Sequence, residues 1–585
     1  MRGNKIHQIK THLLDFRDSL DLFPLSIANL SKSLPVDHMK NVNEVKWIDE
    51  DVGKNIYPYE WLTSVKCFND IPFPSIDKFE SSLAGKVSIK DYRYSKSLYK
   101  KHCTRFLDWH LHYLELDVNI LMDSLSYWQH VIFKEFGIDL LQCHSLPSCA
   151  KQSMLKMSRV RLELLTDSTM HSLFQNNIRG GLCVTALRSR EVQDQTKESI
   201  RYFDVKSLYA SVQKLYRHPV NGFRFLMPIP SSDTLHKMVL EYDEESAATG
   251  YLCVVDLKIP KKLHWMLSDF PVTYQKMSVD PSLYPPSSKW HHLPKSRTQK
   301  LIPSLFDPKN YGVTMLTLKF LVRLGLIIEK VHQVVAYNQE FFLRDFVDIC
   351  LRKRKESGLK MDDVTFKLIA NGLFGKFIEN AFLYTDTKFV FNKNDYERIL
   401  RDATRFVNAK FENYGVFMQS KLSTVKMDKA IAVGFSILCK SKTHFQEMYY
   451  FKILPSYIKV CRPLTPQNRI RVMYVDTDSL ILYLSLDLKM EKEFYSMLSD
   501  IFDFSTLPKS DRFYSTANKS VVGIFKDEVN GLLIRSQHSN GAKSYLYTIE
   551  NNTGLNVRLM DEKERAIYCP RIRLKALSRF YQSTQ

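Results

Sequence analysis

Tyr474-Val475-Asp476-Thr477-Asp478-Ser479-Leu480 sets two carboxylates one residue apart inside an apolar stretch. Adjacent residues of a strand face opposite ways and residues two apart share a face, so Asp476 and Asp478 can project together from a tight strand-turn-strand. Two crowded carboxylates repel unless a cation joins them. Mg²⁺ is the natural ion, because it prefers hard oxygen ligands and is usually held by one or two carboxylates plus substrate phosphates. In a chain with 63 acidic residues an Asp-x-Asp also describes a solvated turn, so other segments must decide between the two.

The chain has 585 residues, which suggests about three or four domains. Its 44% hydrophobic and 25% charged residues are those of an ordinary globular protein. Lys and Arg number 83 against 63 acidic residues, a net charge of +20 that favours a polyanionic partner such as nucleic acid. The ten cysteines are scattered without Cys-x-x-Cys or zinc-ligand spacing and read as reduced thiols of an intracellular protein. Met1-Arg2-Gly3-Asn4-Lys5 leads into no signal-peptide core. The most apolar stretch, Ala430 to Cys439, is far short of the ~20 residues of a transmembrane helix, so no membrane partner is expected.

Helical periodicity runs from Phe106 to Trp128, and Gly180-Gly181 then breaks the pattern. Tyr202-Phe203-Asp204-Val205 reads as a strand ending on an acid, and the prolines between about 225 and 320 give that region a loop-heavy, inserted character. Two helical stretches, Phe341 to Lys355 and Met361 to Asn380, flank Ser357-Gly358 as a hairpin. Strands are expected again around Arg471 to Tyr483 and Val521 to Phe525, and residues 561–579 look helical in part.

Two segments complement the paired acids. In Asp204-Val205-Lys206-Ser207-Leu208-Tyr209, a strand ending in Asp runs into a turn and helix, with one carboxylate at the strand edge and backbone amides nearby for phosphate. A helix N-cap is the plain alternative. In Lys367-Leu368-Ile369-Ala370-Asn371-Gly372-Leu373-Phe374-Gly375, residues i, i+4 and i+7 fall within about 60° on a helix, so Lys367, Asn371 and Phe374 share a face. A cation, an amide and a ring suit a triphosphate, a sugar and a base. Arg352-Lys353-Arg354-Lys355 adds charge at the end of the preceding helix, where it would also complement the macrodipole.

In order, these segments resemble the three polymerase motifs of family B DNA polymerases: Asp204-x-x-Ser207-Leu208-Tyr209 is similar to motif A, Lys367-x-x-x-Asn371-Gly372-x-Phe374-Gly375 to motif B, and Tyr474-x-Asp476-Thr477-Asp478-Ser479 to motif C. The likeness narrows to the protein-primed branch, that of Maverick/Polinton transposons and linear-genome viruses. It is carried by Leu301-Ile302-Pro303-Ser304-Leu305, Val331-His332-Gln333-Val334-Val335, Lys353-Arg354-Lys355-Glu356, Val433-Gly434-Phe435-Ser436-Ile437-Leu438 and Gly523-Ile524-Phe525-Lys526-Asp527-Glu528. Ile178-Arg179-Gly180-Gly181 is similar to the element joining the exonuclease and polymerase modules, and Lys543-Ser544-Tyr545 to the Lys-x-Tyr primer-strand motif.

The resemblance implies template-directed addition of dNTPs to a primer 3′-hydroxyl, with a catalytically impaired DNA-binding remnant of such a polymerase as the alternative. It implies Asp204 and Asp478 as main metal ligands, Asp476 beside them and the Val205 carbonyl as a further oxygen, around two Mg²⁺ ions with Mn²⁺ as substitute. Lys367 and Arg354 would hold the triphosphate, Tyr209 would stack under the deoxyribose and exclude a 2′-hydroxyl, and Asn371 and Phe374 would line the nascent pair. Ser207 and Leu208 fall in the same nucleotide site. Lys543 and Tyr545 would steady the primer terminus, with DNA contact also at Gly180 and Gly181. The implied partners are primer-template DNA, dNTPs and a terminal protein primer, and the implied location is the nucleus or a viral or element replication site.

Tyr113-Leu114-Glu115-Leu116-Asp117 fits the third exonuclease motif, Tyr-x-x-x-Asp, while Asp15-Phe16-Arg17-Asp18-Ser19-Leu20 already resembles a segment that follows the first two. A two-metal nuclease needs carboxylates from all three motifs, so Tyr113 and Asp117 are expected to be a remnant without 3′→5′ exonuclease activity. Ala210 stands where many family members have Pro, Gly372 where Ser is usual and Phe374 where Tyr is common. The implied fold is α+β, a right hand with an antiparallel palm sheet, helical fingers and a small thumb, preceded by a partial ribonuclease-H-like domain. The expected divisions are an exonuclease-like domain at 1–177, palm at 178–340 with its insertion, fingers at 341–385, palm again at 386–530 and a short or truncated thumb at 531–585.

Overall fold

The computed structural model describes residues 8–559 apart from 46, 48–53, 81–84, 279, 284, 289–290, 296–297, 357 and 552–553. The segment 561–579, expected to be partly helical, lies outside the described residues. Two compact units divide the chain: one holds residues 1–159, 348–373 and 382–425, the other 160–347, 374–381 and 426–585. These divisions fall elsewhere than at 177, 340, 385 and 530, because the chain crosses between units inside helices and strand connections that local punctuation does not mark.

In the first unit the dominant element is the helix Phe106–Phe136. Asp108 accepts from the Thr104 and Arg105 amides at its start, and Gly137 ends it with a left-handed φ of 64°. Phe106, Trp109, Tyr113, Leu116 and Ile120 recur at three- and four-residue spacing and are all buried. The first three close on Tyr57, Phe73, Phe79, Leu98 and Tyr99 as an aromatic core. Each such ring taken out of water contributes about 1.5–3 kcal/mol before entropy is counted. Strand content among the described residues before 178 is one pair, Gln8–Lys10 with Asp15–Arg17.

The expected helical hairpin is present as Arg344–Glu356 and Lys360–Phe377. Beyond it, still in the first unit, Thr385–Val390, Gly415–Lys421 and Phe406–Glu412 form a three-stranded antiparallel sheet in that order.

The second unit is built on a ten-stranded sheet whose main path runs Gly554–Leu559, Ser544–Asn551, Leu533–Gly541, Ser199–Val205, Ser479–Leu484, Arg471–Asp476, Cys183–Thr185. Residues 533–559, expected in a separate thumb, are therefore neighbouring strands of this sheet. Ser479–Leu484 is buried at every position, as a central strand covered on both faces must be. Beneath one face lie Ile200, Met473, Tyr474, Ile481, Ile534, Tyr547 and Ile549. The apolar stretch from Ala430 belongs to the helix Ile431–Met448, which is buried along most of its length, the polar Lys440, Ser441, Thr443 and Gln446 of its second half included. No helix among the described residues is long and apolar enough to cross a membrane.

The region 225–320 departs from its loop-heavy expectation. It contributes Thr249–Lys258 and Tyr311–Thr314 to a four-stranded sheet with Ile327–Glu340 and His218–Phe225, plus the helices Ser232–Glu241 and Met315–Leu324. Most of its prolines stand between these elements or at their ends, where a missing amide costs no ladder bond.

Candidate functional site

The paired acids form the tip of a hairpin in the second unit. Asp476 pairs with Ser479 as its last rung, leaving Thr477 and Asp478 to make the turn. Thr477 adopts φ 60°, a conformation that costs a β-branched residue energy and persists only where its surroundings hold it. Here the Thr477 amide donates to the Leu182 carbonyl at 2.7 Å, and the Asp478 amide to the Asp476 carbonyl at 2.7 Å. Gly181 makes room for this turn: a Cβ on it would lie 2.3 Å from Thr477 Oγ1.

Asp204 arrives from the neighbouring strand. It stands directly opposite Ser479 in the antiparallel register, and the Val205 amide donates to the Asp478 carbonyl at 2.8 Å. Past it the chain turns through Ser207, φ 51°, into the helix Leu208–Leu215. The Lys206 amide donates to the Ile524 carbonyl and the Gly523 amide to the Lys206 carbonyl, fastening that turn to the strand Phe525–Asp527. Asp204, Asp476 and Asp478 together line a cavity of about 300 Å³, with Tyr202, Thr477, Ser479, Glu528, Lys543 and Tyr545.

Two lysines attend the acids. Lys543 Nζ lies 3.0 and 3.2 Å from the carboxylate oxygens of Asp476, and its own amide donates to the Tyr474 hydroxyl at 2.7 Å. Lys526, directly opposite Asp204 on the strand Phe525–Asp527, reaches to 4.0 Å of the Asp204 carboxylate and 2.6 Å of Glu528. Tyr545 bonds the Tyr202 hydroxyl at 2.9 Å and packs its ring 4.6 Å from that of Tyr474. Tyr209 stacks on Phe374, centroids 4.2 Å apart and planes 19° from parallel. Burial, then the charges of Asp478 and Asp476, push the Tyr209 hydroxyl up to about 12, so it stays protonated at neutral pH.

The structure thus brings Asp204, Asp476, Asp478, Lys543 and Tyr545 around one cavity and pairs Tyr209 with Phe374. The Leu208 side chain is turned away from solvent. It is 2% exposed and packed in the core, so only its backbone, at the helix N-terminus where amides lack intrahelical partners, can face a ligand. Lys367 and Asn371 lie in the first unit on the helix Lys360–Phe377, Lys367 exposed and Asn371 half-buried. Arg354, also there, pairs with Asp363 at 2.9 Å. Gly180 is open, with nothing within 4 Å of where a Cβ would stand.

Lys526, Glu528 and Tyr202 border the site without a role from sequence reasoning. Lys526 and Glu528 sit in the quoted stretch Gly523 to Glu528, but only strand pairing reveals that Lys526 faces Asp204. In the first unit, Tyr113 and Asp117 lie on the helix Phe106–Phe136, as the motif reading requires. The Tyr113 hydroxyl bonds that of Tyr59, and Lys54 holds Asp117 at 3.1 Å. Among the described residues no group of three or more His, Cys, Asp or Glu side chains is arranged to hold a metal ion. The donors around the cavity are nevertheless hard oxygens, and two carboxylates completed by substrate phosphates are the usual protein share of a Mg²⁺ site.

An antiparallel sheet presenting two acids on a hairpin, a third on the adjoining strand and a tyrosine at the following helix defines the class. Residues 1–444 match the family described as DNA polymerase type B, organellar and viral, and the chain belongs to that family. Two proteins described as "Probable DNA polymerase" are similar to it. The one from Ascobolus immersus is 23% identical over 280 residues, 44% of this chain and 20% of that protein. The one from Podospora anserina is 23% identical over 207 residues, 34% of this chain and 15% of that protein. The chain thus spans a fifth or less of the length of these relatives. Among solved structures, the orthorhombic crystal form of Phi29 DNA polymerase matches with a TM-score of 0.51 and 13% identity, over 95% of this chain and 74% of that one. At this identity the likeness is one of fold, mixed α+β with antiparallel sheets.

Proposed function

We propose that the chain is a template-directed DNA polymerase that adds dNTPs to a primer 3′-hydroxyl, with primer-template DNA as partner and a terminal protein as the first primer. The observation that carries this reading is the register of Asp204 against Ser479, which sets the third acid beside the Asp476–Asp478 turn on one cavity wall.

In the reaction the 3′-hydroxyl oxygen attacks the α-phosphorus of the dNTP, its proton passes to solvent and pyrophosphate leaves. Asp204 and Asp478, with the Val205 carbonyl, would hold two Mg²⁺ ions, whose chemistry is to acidify the attacking hydroxyl and neutralise the phosphates. Asp476 holds Lys543 beside the primer terminus, and Tyr545 is stiffened by its bond to Tyr202. Tyr209, backed by Phe374, presents a flat ring to the sugar and leaves no room for a 2′-hydroxyl. Lys367 and Arg354 bind the triphosphate, and Asn371 lines the base pair.

Tyr113 and Asp117 are a structural remnant, and the chain carries no 3′→5′ exonuclease activity. Supporting this, Asp117 is already neutralised by Lys54. The setting of the reaction is protein-primed replication of a linear element, in the nucleus or at a viral or element replication site. Extension of an annealed primer by the purified chain, with Mg²⁺ and dNTPs, tests the reading. Incorporation that vanishes in Asp478→Asn supports it; DNA binding with no incorporation under Mg²⁺ or Mn²⁺ favours the binding remnant, which the Lys543–Asp476 pair would then simply stabilise.

A further inference from the structure

The turn between Asp204 and Tyr209 carries more fastenings than a strand end needs. Asp204 lies opposite Lys526 and Val205 opposite Phe525; the Lys206 amide then donates to the Ile524 carbonyl at 2.9 Å, and its carbonyl accepts the Gly523 amide at 2.8 Å. The next residue, Ser207, stands at φ 51° and ψ 51°, a left-handed conformation that a serine adopts at a cost. Such a conformation persists only where its surroundings over-determine it. The helix Leu208–Leu215 begins directly after it, and the Ser211 amide donates to the Ser207 carbonyl at 2.9 Å. The direction of that helix, and with it the place of Tyr209, follows from the two dihedrals of Ser207.

Lys206 supplies the constraint. Its backbone extends the pairing with the strand Phe525–Asp527, and its ammonium reaches past that strand to Asp503 on the next one, which runs parallel to it with Asp503 opposite Lys526. Asp503 is 1% exposed, and its other carboxylate oxygen accepts the Ser505 amide at 2.9 Å. Burial pushes the Asp503 carboxyl up, but the Lys206 ammonium and the Ser505 hydroxyl and amide outweigh it and hold it below the usual range, so the pair is ionised at neutral pH. Phe502, the residue before Asp503, packs its ring 4.7 Å from that of Phe203 and 5.5 Å from that of Phe525, all three buried, so the strand that carries Asp503 is locked in place. Stability is a poor reason for such a pair, because taking both charges out of water costs about what their attraction returns. What it supplies is direction: an anion on a rigid strand fixes the residue immediately before the strained turn.

We propose that Lys206 and Asp503 are a positioning pair for sugar selection: they pin the turn at Ser207 and so hold the Tyr209 ring where a deoxyribose fits and a 2′-hydroxyl does not. Both act through Tyr209 rather than on the nucleotide. Phe374 backs the ring, and the ion pair fixes the helix that carries it. The inference rests on the exclusion of the 2′-hydroxyl by Tyr209.

The test measures kcat/KM for a dNTP and for the matching rNTP in single-nucleotide incorporation by the full chain, with Tm from differential scanning fluorimetry. Asp503→Asn, which keeps the shape of the side chain, should narrow the dNTP-to-rNTP ratio about tenfold, as a displacement on the order of 1 Å in a positioning group predicts. Lys206→Met should narrow it as much, and Asp503→Asn decides if that variant does not fold. Lys206→Arg should stay within about twofold of the wild-type ratio, because an arginine still pairs with the carboxylate. A pair with a structural role alone would lower Tm and both specificity constants together and leave the ratio where it was. That result in Asp503→Asn overturns the proposal, as does a ratio that Lys206→Arg fails to keep. Tyr209→Val separates the two readings. A ratio unmoved in that variant removes the steric role itself, whereas a ratio that moves there and not in Asp503→Asn overturns the positioning pair alone.

Discussion

The ammonium of Lys543 lies 3.0 Å from Asp476 Oδ2, while Asp478, the second residue of the turn, accepts the Val205 amide on its backbone carbonyl at 2.8 Å, so the two hairpin acids stand in different settings. That asymmetry predicts a graded response. Asp478→Asn should lower the rate of primer extension by at least about a hundredfold, because the proposed ligation of two ions would contribute several kcal/mol to the transition state. Asp476→Asn should cost less in kcat and more in the KM for primer-template. Equal losses in both variants, measured by single-nucleotide incorporation, would contradict the division.

Tyr209 predicts sugar selectivity. With its ring fixed against Phe374, Tyr209→Val should narrow the ratio of kcat/KM for dNTP over rNTP by about ten- to a hundredfold, while Tyr209→Phe keeps it. A ratio unchanged by Tyr209→Val would remove the steric role.

The two adjacent glycines should behave differently. Gly181→Ala drives a methyl into Thr477 and must displace the hairpin, so primer extension should fall by about tenfold or more with a lower Tm. Gly180→Ala meets open space and should alter neither by more than a small factor. Activity and differential scanning fluorimetry on the pair would check this.

His112 gives the first unit an acid sensitivity. Burial, and secondarily the charge of His102, push its imidazole down to about 4, so the folded chain binds fewer protons than the unfolded chain between about 4 and 6.5. Stability is therefore present above pH 6.5 and is lost as pH falls toward 4. Urea unfolding followed by tryptophan fluorescence should show that slope, and His112→Phe should flatten it.

The chain should leave a single-stranded 3′ end intact under Mg²⁺, and Asp117→Asn should change nothing in that assay. Degradation by the wild-type chain that Asp117→Asn abolishes would falsify the remnant reading.

Much of the site was legible before the fold. The Asp476–Asp478 spacing, the strand ending at Asp204 and the helix bearing Lys367, Asn371 and Phe374 all rest on periodicities of two and 3.6, which are local properties of the chain. The helix Phe106–Phe136 was legible for the same reason. The region 225–320 was misread because prolines report where strands stop, and a sheet assembled from strands far apart in sequence leaves only that negative mark. That the Leu208 side chain is turned into the core was not legible, because a motif position does not say which way its side chain points.

By itself, the sequence determined which residues could carry the chemistry: the acids and their spacing, the tyrosine after Asp204, and the positive charge suited to a polyanion. Only the tertiary structure decided that Asp204 stands opposite Ser479, that Lys526 faces Asp204, that Lys543 closes on Asp476 and that Gly181 makes room for Thr477. Those are relations between strands whose register is set by burial of whole faces, and a one-residue slip would turn every one of these side chains away from the cavity.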